Sequence, residues 1–249
     1  MADILPILAV AALGWVGGAV VNYFADLLPH ARRLSRPLCW NCGQPQPWRG
    51  FFFWPRRCPH CGVTRRVRVW VVELAAIGIA LWLWPAYPDI LQFLWRLILL
   101  LYFGLVVVMD LEHRVILHPV SWAGAIFAFA IGLSLHGFWV TLWGGVSGYV
   151  IMLILYYLGG VFARWISRRR GQPLDDALGY GDVNLSGVIG LLLGWPGVLA
   201  GLTLGVFSAG FFSLIYLLGM LVARRYRAFT AIPFGPFLVL GAVLLLFFL

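Results

Sequence analysis

Apolar residues run along the chain in eight blocks, near 4 to 25, 69 to 86, 90 to 109, 116 to 135, 138 to 162, 183 to 195, 197 to 222 and 231 to 249. About 20 predominantly apolar residues in a helix cross roughly 30 Å of hydrocarbon, so each block is a candidate membrane span, the sixth being short and glycine-containing. The pattern predicts an all-α, polytopic membrane protein of about eight transmembrane helices. Between the first two blocks, a polar stretch at 30 to 68 interrupts the pattern. It divides the chain into a first transmembrane helix at 1–29, a small cytoplasmic loop domain at 30–68 and a membrane-embedded domain at 69–249. The first block is too long for a removable secretion signal, and it lacks the basic start and small-residue cleavage site of one.

Composition agrees with the pattern: 62% of the residues are hydrophobic and 11% charged. No compact sphere of this size hides that much apolar surface from water. The chain has no lysine, and all 18 basic residues are arginine. Nine precede the second block (Arg32, Arg33, Arg36, Arg49, Arg56, Arg57, Arg65, Arg66 and Arg68), Arg114 follows the third, Arg164, Arg168, Arg169 and Arg170 follow the fifth, and Arg224, Arg225 and Arg227 follow the seventh. These are alternate loops, and the intervening ones carry no arginine. The positive-inside rule then turns the arginine-bearing loops to the cytoplasm and both termini outward. The net charge of +9 is read as topology plus attraction to anionic membrane lipid, with no nucleic-acid partner. Arg96 stands apart, within the third block, with Asp89 as its expected partner.

On this topology two aspartates meet the same membrane face. Asp110 closes the third block in Met109-Asp110-Leu111, and Asp182 opens the sixth in Gly179-Tyr180-Gly181-Asp182-Val183. An ionisable group at a membrane edge is costly and usually has a function or a partner. For Asp182 the plain alternative is a helix cap, and for Asp110 an ion pair with Arg114 four residues on. Neither accounts for Gly179 and Gly181, which suit a sharp bend and close approach to a substrate chain. Two close carboxylates sharing one proton supply both a base for attacking water and an acid for the departing amine. Glu112, Asp175 and Asp176 rank below them because they lie in charged loops.

The loop carries a second signal. Cys39-Trp40-Asn41-Cys42 and Cys58-Pro59-His60-Cys61 make two Cys-x2-Cys pairs fifteen residues apart and use all four cysteines. This is the spacing of a four-thiolate zinc site, structural because no coordination position stays open. The cytoplasmic side disfavours a structural disulfide, and His60 is expected to be solvated. Trp48, Phe51, Phe52, Phe53 and Trp54 stand among arginines in the same loop, a composition suited to the membrane interface.

At these residues the chain resembles the type IV prepilin peptidases, membrane aspartyl proteases with a Gly-x-Gly-Asp motif. Gly179 to Val183 with Leu185 and the Gly190 to Trp195 stretch is similar to the family's second catalytic segment, and Met109-Asp110-Leu111 to the first. Ala231 to Leu238 resembles its last cytoplasmic turn. Asn22 and Glu73 also fall where the family places an Asn and a Glu. The resemblance implies cleavage of the short basic leader of prepilin or pseudopilin precursors by Asp110 and Asp182, at the cytoplasmic face of the bacterial inner (plasma) membrane. Bifunctional members are understood to bind S-adenosylmethionine at the cysteine loop and methylate the new N-terminus. Here Gly43 to Arg57 lacks their Asn-Ile-Pro and Ser-Trp pattern, and methylation is left open. Two departures stand out: Asn184 replaces a usual Lys, and Leu117-His118-Pro119 replaces Leu-Pro-Asp. The alternative from another class is a transporter or ion carrier using the same aspartates as a proton or cation relay. That role favours carboxylates near mid-membrane.

Overall fold

The computed structural model describes residues 4–31, 35–53, 56–170, 178–223 and 233–248. Among them the regular structure is helical: α1 (Ile4–Ala31), α2 (Trp48–Phe52), α3 (Val67–Ala86), α4 (Ile90–His113), α5 (His118–His136), α6 (Phe138–Arg170), α7 (Tyr180–Leu193), α8 (Gly197–Val222) and α9 (Gly235–Phe247). All eight apolar blocks are therefore helices. Six of them, α1, α3, α4, α5, α6 and α8, are long and apolar enough to cross a membrane. The chain is a multi-pass membrane protein.

The other two fall short. At 14 residues α7 covers about 21 Å, and at 13 residues α9 covers about 20 Å, at roughly 1.5 Å per residue. Their shortness follows from sequence. Gly194, at a φ of 66°, stops α7, and Pro236 starts α9 in a position where its missing N–H is no loss. α7 is also the most enclosed element, burying Val183, Leu185, Ser186, Val188, Ile189, Leu192 and Leu193. α6, α8 and α1 expose large apolar side chains instead, such as Phe207, Phe211, Phe162 and Leu5. Such a surface is stable against lipid and not against water.

Two compact units share the chain, Met1–Met109 and Asp110–Leu249. In the first, α1 packs on α3. In the second, α7 is held by α5, α6 and α9. The α6–α7 seam is close because glycine faces glycine: a Cβ on Gly144 would strike the Gly190 carbonyl, and one on Gly190 would strike that of Gly144. Small residues permit such approach where no hydrophobic effect drives helices together.

The Trp54 member of the aromatic group, Arg32, Arg33, Asp175, Asp176, Arg224, Arg225, Arg227, Ala231 and Ile232 lie outside the described residues, as do the side chains of Arg169 and Arg170. Arg96 does not pair with Asp89. Its guanidinium lies 3.8 Å from the Tyr87 ring centroid and 4.1 Å from that of Trp95, while bonding Gln92 at 3.2 Å. Asp89 instead accepts the Leu91 N–H at 2.8 Å, acting as a turn and cap residue for α4.

Candidate functional site

The second unit brings the two aspartates together. Asp110 opens that unit just after Met109, Asp182 stands in the first turn of α7, and the start of α9 reaches Asp110. Asp110 and Asp182 are each 6% exposed, and Asp110 is near enough for its charge to act on Asp182. Each carboxylate is held by a backbone donor. The Gly235 N–H at the head of α9 donates to Asp110 Oδ2 at 3.0 Å, and the Gly179 N–H donates to Asp182 Oδ2 at 3.2 Å. Ser186 Oγ closes the α7 turn by donating to the Asp182 carbonyl at 2.8 Å.

These contacts refine the sequence expectations. Asp182 sits at the third position of α7 and reaches back to the residue that precedes the helix, so it does serve as a cap. The cap occupies one oxygen and fixes the carboxylate. Gly179 has ordinary extended geometry, with φ −81° and ψ 144°. Gly181 is glycine for a neighbour inside the fold: a Cβ there would lie 2.8 Å from Ile116 Cβ. The room it leaves is taken by the turn after Asp110 and not by a substrate chain. Asp110 uses Gly235, not Arg114, as its hydrogen-bond partner, and Arg114, with a φ of 52°, closes its N–H on the Asp110 carbonyl.

Gly235 meets Asp110 across 125 residues of sequence, a role that its place in the Ala231 to Leu238 stretch does not signal. A Cβ at Gly235 would fall 2.7 Å from Asp110 Oδ2. Gly235→Ala is therefore expected to push the carboxylate aside and lower turnover about 100-fold or more, the scale of losing a placed acid–base group. Turnover of the purified variant on a prepilin, with helix content unchanged, checks this.

Around Asp182, the first turn of α7 carries polar groups on its other side. Tyr180 Oη and Tyr149 Oη are 2.6 Å apart, and Asn184 Nδ2 is 3.5 Å from His118 Nδ1. The two departures from the resembled family, Asn184 and His118, thus meet each other.

The first unit holds the four cysteines. Cys39 and Cys58 are buried, all four sulfurs lie within 4.8 Å of one another, and the Cys39–Cys61 and Cys42–Cys58 sulfurs are 3.7 Å apart. A tetrahedron with Zn–S bonds of about 2.3 Å has sulfurs about 3.8 Å apart, so the set fits such an ion. Two like turns build it. Gly43 N–H bonds the Cys39 carbonyl and Gly62 N–H the Cys58 carbonyl, each at 2.9 Å and each with φ 70°, which glycine alone adopts freely. Cys39 N–H to Gln44 and Cys58 N–H to Val63 complete the pair.

Burial opposes ionisation of Cys58, but the Cys61 and His60 amides and the neighbouring thiols outweigh it and bring Cys58 down to about 6. At Cys42 the Gln44 amide favours the thiolate, but burial and the other three sulfurs prevail and push it up to about 12. Four sulfurs this close need a cation to ionise together. Purified protein is expected to carry about one equivalent of metal, and Cys42→Ser or Cys61→Ser less than about half of that. Elemental analysis reads the result.

Asn22 and Glu73 are buried beside this loop. Arg56, two residues before Cys58, grips Glu73 through Nη1 at 2.8 and 3.0 Å and donates to the Phe52 carbonyl through Nε and Nη2. Trp15 Nε1 adds a third bond to Glu73 at 3.1 Å, and Asn22 Nδ2 donates to the Val69 carbonyl at 3.0 Å. Arg56 had no signal beyond its charge, yet it is 6% exposed and ties the cysteine loop to α3.

A model of the type IV leader peptidase family matches residues 97–249. The chain is 25% identical over 228 residues to a prepilin leader peptidase/N-methyltransferase of Aeromonas hydrophila, spanning 87% of this chain and 72% of that one. It is 25% identical over 273 aligned positions to the one from Pectobacterium carotovorum subsp. carotovorum, with 94% and 90% coverage. The Escherichia coli (strain K12) protein of that name is 32% identical over 130 residues, 51% of this chain and 48% of its own length. No solved structure matches the chain. The family match covers more than half of the sequence and contains both buried aspartates, the glycine run and Gly235, and on that ground the chain belongs to the type IV leader peptidase family.

Proposed function

We propose that this protein is a membrane aspartyl endopeptidase that removes the short basic leader of prepilin or pseudopilin precursors at the cytoplasmic face of the bacterial inner membrane. The observation that carries the reading is the pair of buried carboxylates at the ends of α4 and α7, each fixed by a glycine N–H. One carboxylate takes a proton from water as the water oxygen attacks the scissile carbonyl carbon. The other delivers a proton to the amide nitrogen as the C–N bond breaks. Two carboxylates that share one proton act as a pair, so neither role is assigned to one residue. A relay role would call for carboxylates at mid-membrane, whereas these stand at helix ends.

The arginine pattern supports the cytoplasmic orientation. Zinc held by Cys39, Cys42, Cys58 and Cys61 is the structural metal of this reading, and it supplies no open coordination position to the reaction.

The names of the relatives add N-methyltransferase activity, and S-adenosylmethionine would be its methyl donor. The hollow beside the cysteines, bounded by Asp26, Trp40, Gln46, Arg56, Cys58 and Arg65, has a volume of about 10 Å³. Cofactor pockets run to about 300–1,000 Å³. This hollow is too small to hold that cofactor. Co-expression with a prepilin and following its size shift tests the peptidase. Mass spectrometry of the mature product tests methylation: the unmodified amine is expected, and an added methyl group would show a second activity.

A further inference from the structure

A cavity of about 580 Å³ lies among α5, α6 and α7 of the second unit, within the size range of ligand pockets, about 300–1,000 Å³. Ala125, Leu142, Val146 and Leu191 give it an apolar wall, and His118, Asn184, Tyr149 and Tyr180 line its polar end. From Asn184 to Leu191 the wall of α7 runs about 10 Å at roughly 1.5 Å per residue. The cavity faces outward, because Trp122 and Val146 in its lining are 70% and 43% exposed. An occupant therefore enters sideways from the bilayer.

Two features place this cavity in the same apparatus as the aspartates. Tyr180 and Asn184 stand two residues either side of Asp182 in the first turns of α7, on the face away from its buried carboxylate. His118 begins α5 directly after the turn that follows Asp110. The polar end thus lies at the level of the dyad, around the N-terminus of α7 from it. Charge then separates the candidate occupants. A phospholipid head group brings a phosphate, which arginine would meet, yet among the described residues no arginine lines the cavity. The polar end offers neutral hydroxyls, an amide and an imidazole, which match peptide N–H and C=O groups.

We propose that this groove holds the apolar segment of the protein substrate next to the scissile bond. The inference rests on the peptidase reading above. The apolar segment lies along α7 from the polar end to Leu191, while the extended chain rounds the N-terminus of α7 to reach the carboxylates. Tyr180, bonded to Tyr149, forms the shoulder between groove and dyad.

The test uses full-length protein in lipid vesicles with two probes, a prepilin with its apolar helix and the same leader peptide ending short of the helix. Val146→Trp fills the groove, and Phe207→Trp on the lipid-facing side of α8 is the control. Filling is expected to raise KM for the prepilin about tenfold or more, the scale on which an apolar pocket discriminates one group, with kcat held. The preference for prepilin over the short peptide should fall by the same factor, and the control should leave it unchanged. A benzophenone amino acid in place of Trp122 should cross-link the helix of the prepilin, and should still do so when Asp182→Asn prevents cleavage. Groove filling that leaves KM for the prepilin at the wild-type value would overturn the proposal, and so would cross-linking of phospholipid alone. A prepilin still captured at position 122 but cleaved normally by the Asp182→Asn protein would sink the dyad and leave the groove standing.

Discussion

Asp110→Asn and Asp182→Asn are each expected to lower kcat on a prepilin by about 10²–10⁴-fold, the range of a positioned acid–base group. KM should change little, since both carboxylates are buried and capped by glycine N–H groups and so contribute little to holding the substrate. The exchange keeps shape and removes only the capacity to hold and pass a proton. The double variant should be no slower than the worse single one, because groups acting as a unit lose their whole effect when either is removed. Additive losses would mean that the aspartates work independently. The caps make the test clean: an asparagine Oδ1 can still accept from Gly179 or Gly235, so α7 and α9 keep their starts.

The second large effect concerns stability of the first unit. Glu73→Ala should destabilise it by about 3–5 kcal/mol, because it strands the buried Arg56 guanidinium without its carboxylate. Arg56→Ala should cost a similar amount, and it also leaves the Phe52 carbonyl without its donors. Replacing both residues with apolar side chains of similar volume should recover much of the loss, since breaking a buried pair costs more than removing it. Thermal unfolding in detergent measures the effect. The four-cysteine loop provides a local readout, because Arg56 joins it to α3: the single variants should release metal at lower temperature than the wild type. A loop that kept its metal unchanged in both would show that the pair does not anchor it.

Much of this was legible in the chain. The apolar blocks gave eight helices because bilayer burial leaves the backbone no other way to satisfy its own hydrogen bonds here. The two Cys-x2-Cys pairs indicated a metal loop because their spacing suits four thiolates on one ion. Asp110 and Asp182 stood out because carboxylates are rare in such blocks. Helix ends were less legible. α4 runs on through Asp110 to His113, and α6 through Arg170, because once a helix has left the hydrocarbon nothing in its hydropathy marks its end.

Partners across long sequence separations were not legible either. Gly235 is 125 residues from Asp110, and its role depends on a missing side chain that only the assembled α9 reveals. Arg56 looked like one positive charge among nine in its loop, and its burial depends on where α3 places Glu73. The glycines of the Gly-Tyr-Gly-Asp run suggested bending toward a substrate. The assembled site spends one of them on Ile116, a neighbour brought in by the turn after Asp110.

Purified protein in lipid vesicles, mixed with a prepilin and followed by the mass of the products, puts the central claim to its most direct test. Wild type should release the intact leader and a mature chain, while Asp110→Asn and Asp182→Asn, folded and metal-loaded, should leave the precursor whole. Wild-type rates of release by either variant would contradict the account.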